Sequence, residues 1–186
     1  MASIDSLGSL FQDELKDIYD AENQIVKALP KMAKEAGNEE LRAAIEQHLD
    51  QTQTQIERLE QIFEELGEKA KGTKCEATKG LLEEAKNMME DAEDEDVRDA
   101  AIIGSAQKVE HYEIAAYGTL RTYAELLGFD EQAELLQETL DEEKETDENL
   151  TELAVTCINM EANDEEGEEE EDEGTSNRMG RSKANK

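Results

Sequence analysis

Four long stretches of this chain place apolar residues at alternating steps of three and four, the spacing that lines one face of an α-helix in a bundle. The first runs from Ile4 and Gly8 through Phe11, Leu15, Ile18, Ile25, Leu29 and Met32 to Ala36. The second runs through Leu41, Ile45, Leu59, Ile62 and Leu66. The third holds Ile103, Ala106, Tyr117, Leu120 and Ala124, and the fourth Ala133, Leu136, Leu140, Leu150, Ala154 and Cys157. Each stripe breaks near its middle. The breaks are Glu22 in the first, His48, Thr52 and Gln55 in the second, Glu110 and Glu113 in the third, and Glu143 and Asp147 in the fourth.

Punctuation sets the boundaries. Helices are expected over Ile4–Ala36, Glu39–Leu66, Val97–Leu127 and Asp130–Met160, with a shorter one over Lys79–Ala92. Pro30 should kink the first or divide its last turn. Gly37 and Asn38 stop one helix and start the next, with Asn38 as N-cap. Gly67 and Gly128 end two others, and the acidic run Glu93–Asp96 leads into a helix start, where negative charge is favourable. Short connections make each outer pair an antiparallel hairpin. The long central connection, with its own short helix, makes the expected fold all-α: a ferritin-like four-helix bundle of two hairpins joined by a crossover. The bundle should occupy residues 1–160. Residues 161–186, acidic and then basic, lack the apolar content to offset ordering entropy and are expected to form a disordered tail.

Depth in the bundle follows from the turns. Residues equally far from an antiparallel turn sit level. Glu22 and Thr52 are equidistant from Gly37, and His48 lies one turn nearer to it. Glu113 and Glu143 are equidistant from Gly128, and Glu110 and Asp147 nearly so. Glu22, His48, Glu110, Glu113, Glu143 and Asp147 therefore fall in one slab of the core. A buried unpaired carboxylate costs several kcal/mol or is forced to protonate, so about five in one slab need compensation. Divalent cations provide it. Hard carboxylate oxygens with an imidazole suit Fe or Mn, and helix pairs offering Glu at three- or four-residue steps build di-metal sites in bundle cores. The expectation is a site for two ions of Fe or Mn.

Composition narrows the partners. Fifty Asp and Glu against nineteen Lys and Arg give a net charge of −31. Such a surface repels phosphates and anionic headgroups, so neither nucleic acid nor membrane is expected as a partner. No apolar run approaches the length of a membrane-spanning helix. Met1 to Leu10 lacks the features of a secretory signal, and Cys75 and Cys157 are too few for a disulfide framework. These features lead us to expect a cytoplasmic protein. There is no glycine-rich phosphate loop and no cysteine pair at metal spacing.

Several segments resemble the YciF-like bacterial stress proteins. They are Tyr19-Asp20-Ala21-Glu22-Asn23-Gln24, Lys27-Ala28-Leu29-Pro30-Lys31-Met32-Ala33, Gln107-Lys108-Val109-Glu110-His111-Tyr112-Glu113 and Thr139-Leu140-Asp141-Glu142-Glu143-Lys144. The likeness runs from about Ser6 to Ile158. It implies a ferritin-like fold related to rubrerythrin and a homodimer. In the rubrerythrin pattern Glu22 matches the first-helix ligand, Glu110 and Glu113 the third-helix pair, and Glu143 the fourth-helix glutamate, with Asp147 where a histidine can stand. The second helix departs: three positions before His48 stands Ile45, not Glu. Either His48 takes the glutamate's place, with Gln51 or Thr52 nearby, or one carboxylate bridge is missing. His111 follows Glu110 directly and should point about 100° away from the ligand face.

Three functions fit this reading. One is a di-metal protein of the stress response that handles peroxide or oxygen species, an oxidoreductase if it turns over. The second is a metal-binding or storage protein without turnover. The third is a structural or interaction bundle whose metal site has degenerated.

Overall fold

The computed structural model describes residues 4–163. The tail expected over 161–186 lies outside the described residues from 164 onward, while residues 161–163 continue the last helix. Five helices, α1 (Leu7–Glu35), α2 (Glu39–Glu65), α3 (Glu76–Asp91), α4 (Glu95–Leu127) and α5 (Asp130–Leu153), account for the fold, and α5 runs on into a π-helical turn at Ala154–Ile158. No strand occurs among the described residues. The four long helices form the bundle, and α3 packs across the outside of α1 and α4. No helix is long and apolar enough to cross a membrane.

The caps explain most boundaries. Ser6 closes a capping box with Ser9, so α1 starts at Leu7 and leaves Ile4 outside it, 54% exposed. Pro30 neither divides nor ends α1, which runs unbroken to Glu35. Asn38 caps α2 through the amides of Glu40 and Leu41, as expected. The crossover helix starts three residues earlier than the sequence suggested. The Cys75 sulfur accepts from the Thr78 amide at 3.4 Å, and cysteine is not among the usual caps. Asp94 caps α4, and Gly128 ends it in the left-handed region at φ 75°.

The turn between α1 and α2 is held from across the bundle. Asp99, near the start of α4 and 1% exposed, accepts from the amides of Gly37 at 2.9 Å and Asn38 at 2.7 Å. A side chain on Gly37 would meet the exposed Glu95 side chain, which would have to swing aside. The start of α4 therefore lies at the end of α1, and the two run antiparallel. At the opposite end Gln132 of α5 donates to Glu65 of α2 at 2.6 Å, so α2 and α5 are antiparallel as well.

Two apolar clusters fill the core. One gathers Phe11, Leu15, Ile18, Leu59, Phe63 and Leu136 towards the Gly128 end. The other gathers Ile25, Leu29, Leu41, Ile45, Ile103 and Leu150 towards the Gly37 end. Between them lies a buried polar layer. The fourth stripe needs one correction. The π-helical turn carries an extra residue, which shifts the register so that Ile158, 1% exposed, takes the seam place expected for Cys157.

Candidate metal centre

Each long helix delivers its interrupting residue to the same layer. His48 of α2, Glu110 and Glu113 of α4 and Glu143 of α5 each bring one ligand atom into a group whose members all lie within 4.8 Å of one another. All four are buried. The i, i+3 spacing of Glu110 and Glu113 puts both carboxylates on one face of α4.

Glu22 of α1 adjoins the group without belonging to its tightest part. It is fully buried, and its Oε1 accepts the Tyr117 hydroxyl at 2.5 Å. After burial, the Glu22 charge is the largest influence raising the Glu113 carboxyl. Asp147 is the expected residue that the structure leaves out. Its side chain is 20% exposed, and Oδ1 accepts from Gln107 at 3.2 Å and lies 3.4 Å from His111 Nε2. Four residues beyond Glu143, it lies about 40° round α5 from that glutamate, on the side towards solvent. His111 is 69% exposed, away from the ligand face.

The polar residues of α2 divide their roles. Thr52 is buried, but its hydroxyl donates to the His48 carbonyl at 2.8 Å and is spent on its own helix. Gln55 donates to Glu142 at 3.1 Å, and its own Oε1 is buried without a partner. Arg58 grips Glu142 in a bidentate pair, 2.6 Å at each nitrogen, beside Glu143. The Arg58–Glu142 pair and the Tyr117 bond to Glu22 were not foreseen. Arg58 lies off the apolar stripe of α2, and Tyr117 in the α4 stripe reads equally as a packed aromatic or, with Tyr19, Tyr112 and Tyr123, as a group for electron or proton traffic.

Electrostatics in the layer favour the uncharged forms. Burial pushes the Glu22 carboxyl up to about 8, with the Glu143 charge adding to it. Burial likewise raises Glu143 to about 7. Glu110 and Glu113 are held well above the ordinary carboxylate range, first by burial and then by their neighbours' charges. Burial lowers the His48 imidazole to about 4, so it is neutral at pH 7.

The clearest feature is unmet bonding. Among the described residues ten buried side-chain nitrogen and oxygen atoms have no hydrogen-bond partner, and eight of them belong to Glu22, His48, Glu110, Glu113 and Glu143. His48 Nε2 lies 3.3 Å from Glu110 Oε1 without forming a hydrogen bond. Buried polar atoms are almost always satisfied in native proteins. Carboxylate oxygens and neutral imidazole nitrogens left unpaired together are the donor set of a divalent transition metal. The residues present fit such an ion.

Known proteins share this arrangement of helices. A family model described as "Domain of unknown function (DUF892)" matches residues 6–163. The protein YciF of Escherichia coli K12 is 50% identical over 158 residues, which cover 84% of this chain and 95% of that one. The crystal structure of the E. coli stress protein YciF aligns with a TM-score of 0.80 at 50% identity, covering 84% of this chain and 99% of the other. YcfI of Rhodopseudomonas palustris, described as a candidate structural protein, aligns with a TM-score of 0.79 at 46% identity, covering 81% and 98%. By the extent of the family match and the identity to YciF, this chain belongs to the DUF892 family of YciF-like proteins.

Proposed function

We propose that this chain is a metal-binding member of its family, holding Fe or Mn on His48, Glu110, Glu113 and Glu143, with Glu22 as the added ligand for a second ion. The reading extends to the handling of peroxide or oxygen species in the stress response. One observation carries it: eight unpartnered polar atoms on five residues, buried in one layer.

The chain's own groups prepare the site in stated ways. Burial keeps His48 neutral, so a ring lone pair is free to coordinate. Burial keeps the carboxyls protonated in part, so loading must release protons and affinity must rise with pH. Tyr117 fixes Glu22 through Oε1 and leaves Oε2 as the free oxygen. Arg58 holds Glu142 away from the layer, so that it does not compete with Glu143. Bound Fe or Mn would supply the electrons and the Lewis acidity for reducing an oxidant.

The test is elemental. Protein purified without chelator is analysed for Fe and Mn and then assayed for peroxide consumption. We expect up to two ions per chain, and none in Glu110→Gln/Glu113→Gln. Protein that stays metal-free after reconstitution with either ion would sink the reading. A second reading, binding without turnover, draws on α2, which brings a histidine but no carboxylate to the layer. It predicts uptake with no peroxide rate above that of free metal.

A further inference from the structure

A cavity of about 60 Å³ opens beside the metal-ligand layer, within the apolar cluster at the Gly37 end. Its body is made by Ile25, Leu29, Met32, Ile45, Val109 and Leu150. His48 and Glu110 form its wall on the side of the layer. Its outer part, between α2 and α5, carries Gln47, Gln51, Thr146 and Asn149, which are exposed or half-buried. Protein interiors are packed densely, so a void against two proposed ligands forfeits contacts that a filled core would make.

We propose that this cavity is a ligand chamber for a small uncharged molecule of a few heavy atoms. Its body is apolar and it carries one hydrogen-bond-accepting oxygen, the class of short-chain alcohols, aldehydes and ketones. Size sets the first limit, because 60 Å³ leaves no room for an aromatic ring or a long chain. Charge sets the second. Charged residues make up 37% of the chain, yet the four residues at the outer part are amides and a hydroxyl. No Lys or Arg lines the cavity to pair with an anion, which would lose its hydration against the aliphatic walls. An ammonium group would lose its hydration against aliphatic walls.

The accepting oxygen is set by His48. Its Nε2 lies towards Glu110, and Nδ1, across the ring, has no partner in the protein although the residue is 5% exposed. This step rests on the metal-site reading. With the Nε2 lone pair given to a metal, Nδ1 carries the ring proton and needs an acceptor. Metal-bound histidines ordinarily find one in a carboxylate, a carbonyl or water. Here the protein supplies none, and the chamber occupant does. A lone water would find polar partners at the layer and at the outer part, but it would leave the aliphatic body of the cavity unfilled.

The test uses the full chain in two states, loaded with Zn²⁺ as a diamagnetic ion and stripped with chelator, with zinc content measured on each sample. Methyl and histidine-ring NMR spectra are followed on titration with acetone, and in parallel with acetate and methylammonium. We expect acetone to give saturable shifts at the methyls of Met32, Ile45, Val109 and Leu150, and to move the His48 Nδ1 signal in the zinc state. Acetate and methylammonium should leave these signals in place. Ala106→Leu and, separately, Ala44→Leu fill the cavity without replacing a proposed ligand, and each should weaken acetone binding by about tenfold or more. The chamber is refuted if acetate matches acetone, if acetone shifts do not saturate, or if both variants bind as the parent does. A sample that takes up no zinc counts against the metal site instead, and the chamber then stands or falls on the stripped-protein titration.

Discussion

Glu22 and Glu143 show what the buried layer demands of single residues. Both carboxyls are raised, to about 8 and about 7, chiefly by burial. A raised carboxyl favours the folded state while protonated, so the stability it adds is complete below the ordinary carboxyl range and is lost as pH rises through the folded value. His48 is lowered to about 4, so its contribution is present above the ordinary histidine range and is lost as pH falls. Glu110 and Glu113 are raised as well, and four raised carboxyls outweigh one lowered imidazole, so metal-free protein should be most stable near the ordinary carboxyl range and its melting temperature should fall as pH rises from about 5 to 9. Metal removes that fall, because bound cations hold the carboxylates ionised at no cost in repulsion. Scanning calorimetry on stripped and loaded protein across this range checks both halves, and a flat profile for the stripped protein would count against a buried acidic layer. Tyr117 makes a second case. Its hydroxyl is the partner of Glu22 Oε1, so Tyr117→Phe strands a buried oxygen and should destabilise the metal-free protein by about 1–3 kcal/mol, read by denaturant unfolding.

Helices were legible from the stripe because a three–four repeat over many residues has few other meanings. The Glu110, Glu113, Tyr117, Leu120 and Ala124 seam of α4 is buried at every position. What escaped the sequence was set by contacts distant along the chain or by local strain. Cys75 caps α3 although thiols seldom cap, and the π-helical turn trades Cys157 for Ile158 without any signature in composition. Asp147 obeys the spacing yet leaves the group, because its four-residue step turns about 40° past Glu143, while Leu150 three residues on returns to the core. Asp99 sits off the stripe and reads as one acid among many, but it ties α4 to the α1–α2 turn. Removing its carboxylate in Asp99→Ala leaves two amides unpaired and should cost about 2–4 kcal/mol by denaturant unfolding. Pro30 gives the opposite sign. It lies exposed inside an unbroken helix, where proline is worse than alanine by about 3 kcal/mol, so Pro30→Ala should raise stability by up to that amount. A Pro30→Ala variant that melts lower would mean that the proline packs against something the helix needs.

The whole molecule combines two kinds of repulsion that respond differently to salt. One is on the surface, from a net charge of −31. The other is the buried layer between the two apolar clusters. Salt shortens the Debye length from about 10 Å at 0.1 M to about 3 Å at 1 M, which screens exposed charges and hardly reaches buried ones. Surface carboxylates of ordinary pKa are almost wholly ionised above about pH 6, so between pH 6 and 9 their repulsion is nearly constant while the layer titrates. Raising KCl from 0.1 to 1 M should therefore lift the melting temperature of metal-free protein at every pH in that window. It should leave the slope of melting temperature against pH almost unchanged. Loading with Mn²⁺ should do the reverse and remove the slope at either salt concentration. A slope that disappears in 1 M KCl would place the titrating groups on the surface, and the polar layer would then carry no special charge state for a metal to relieve.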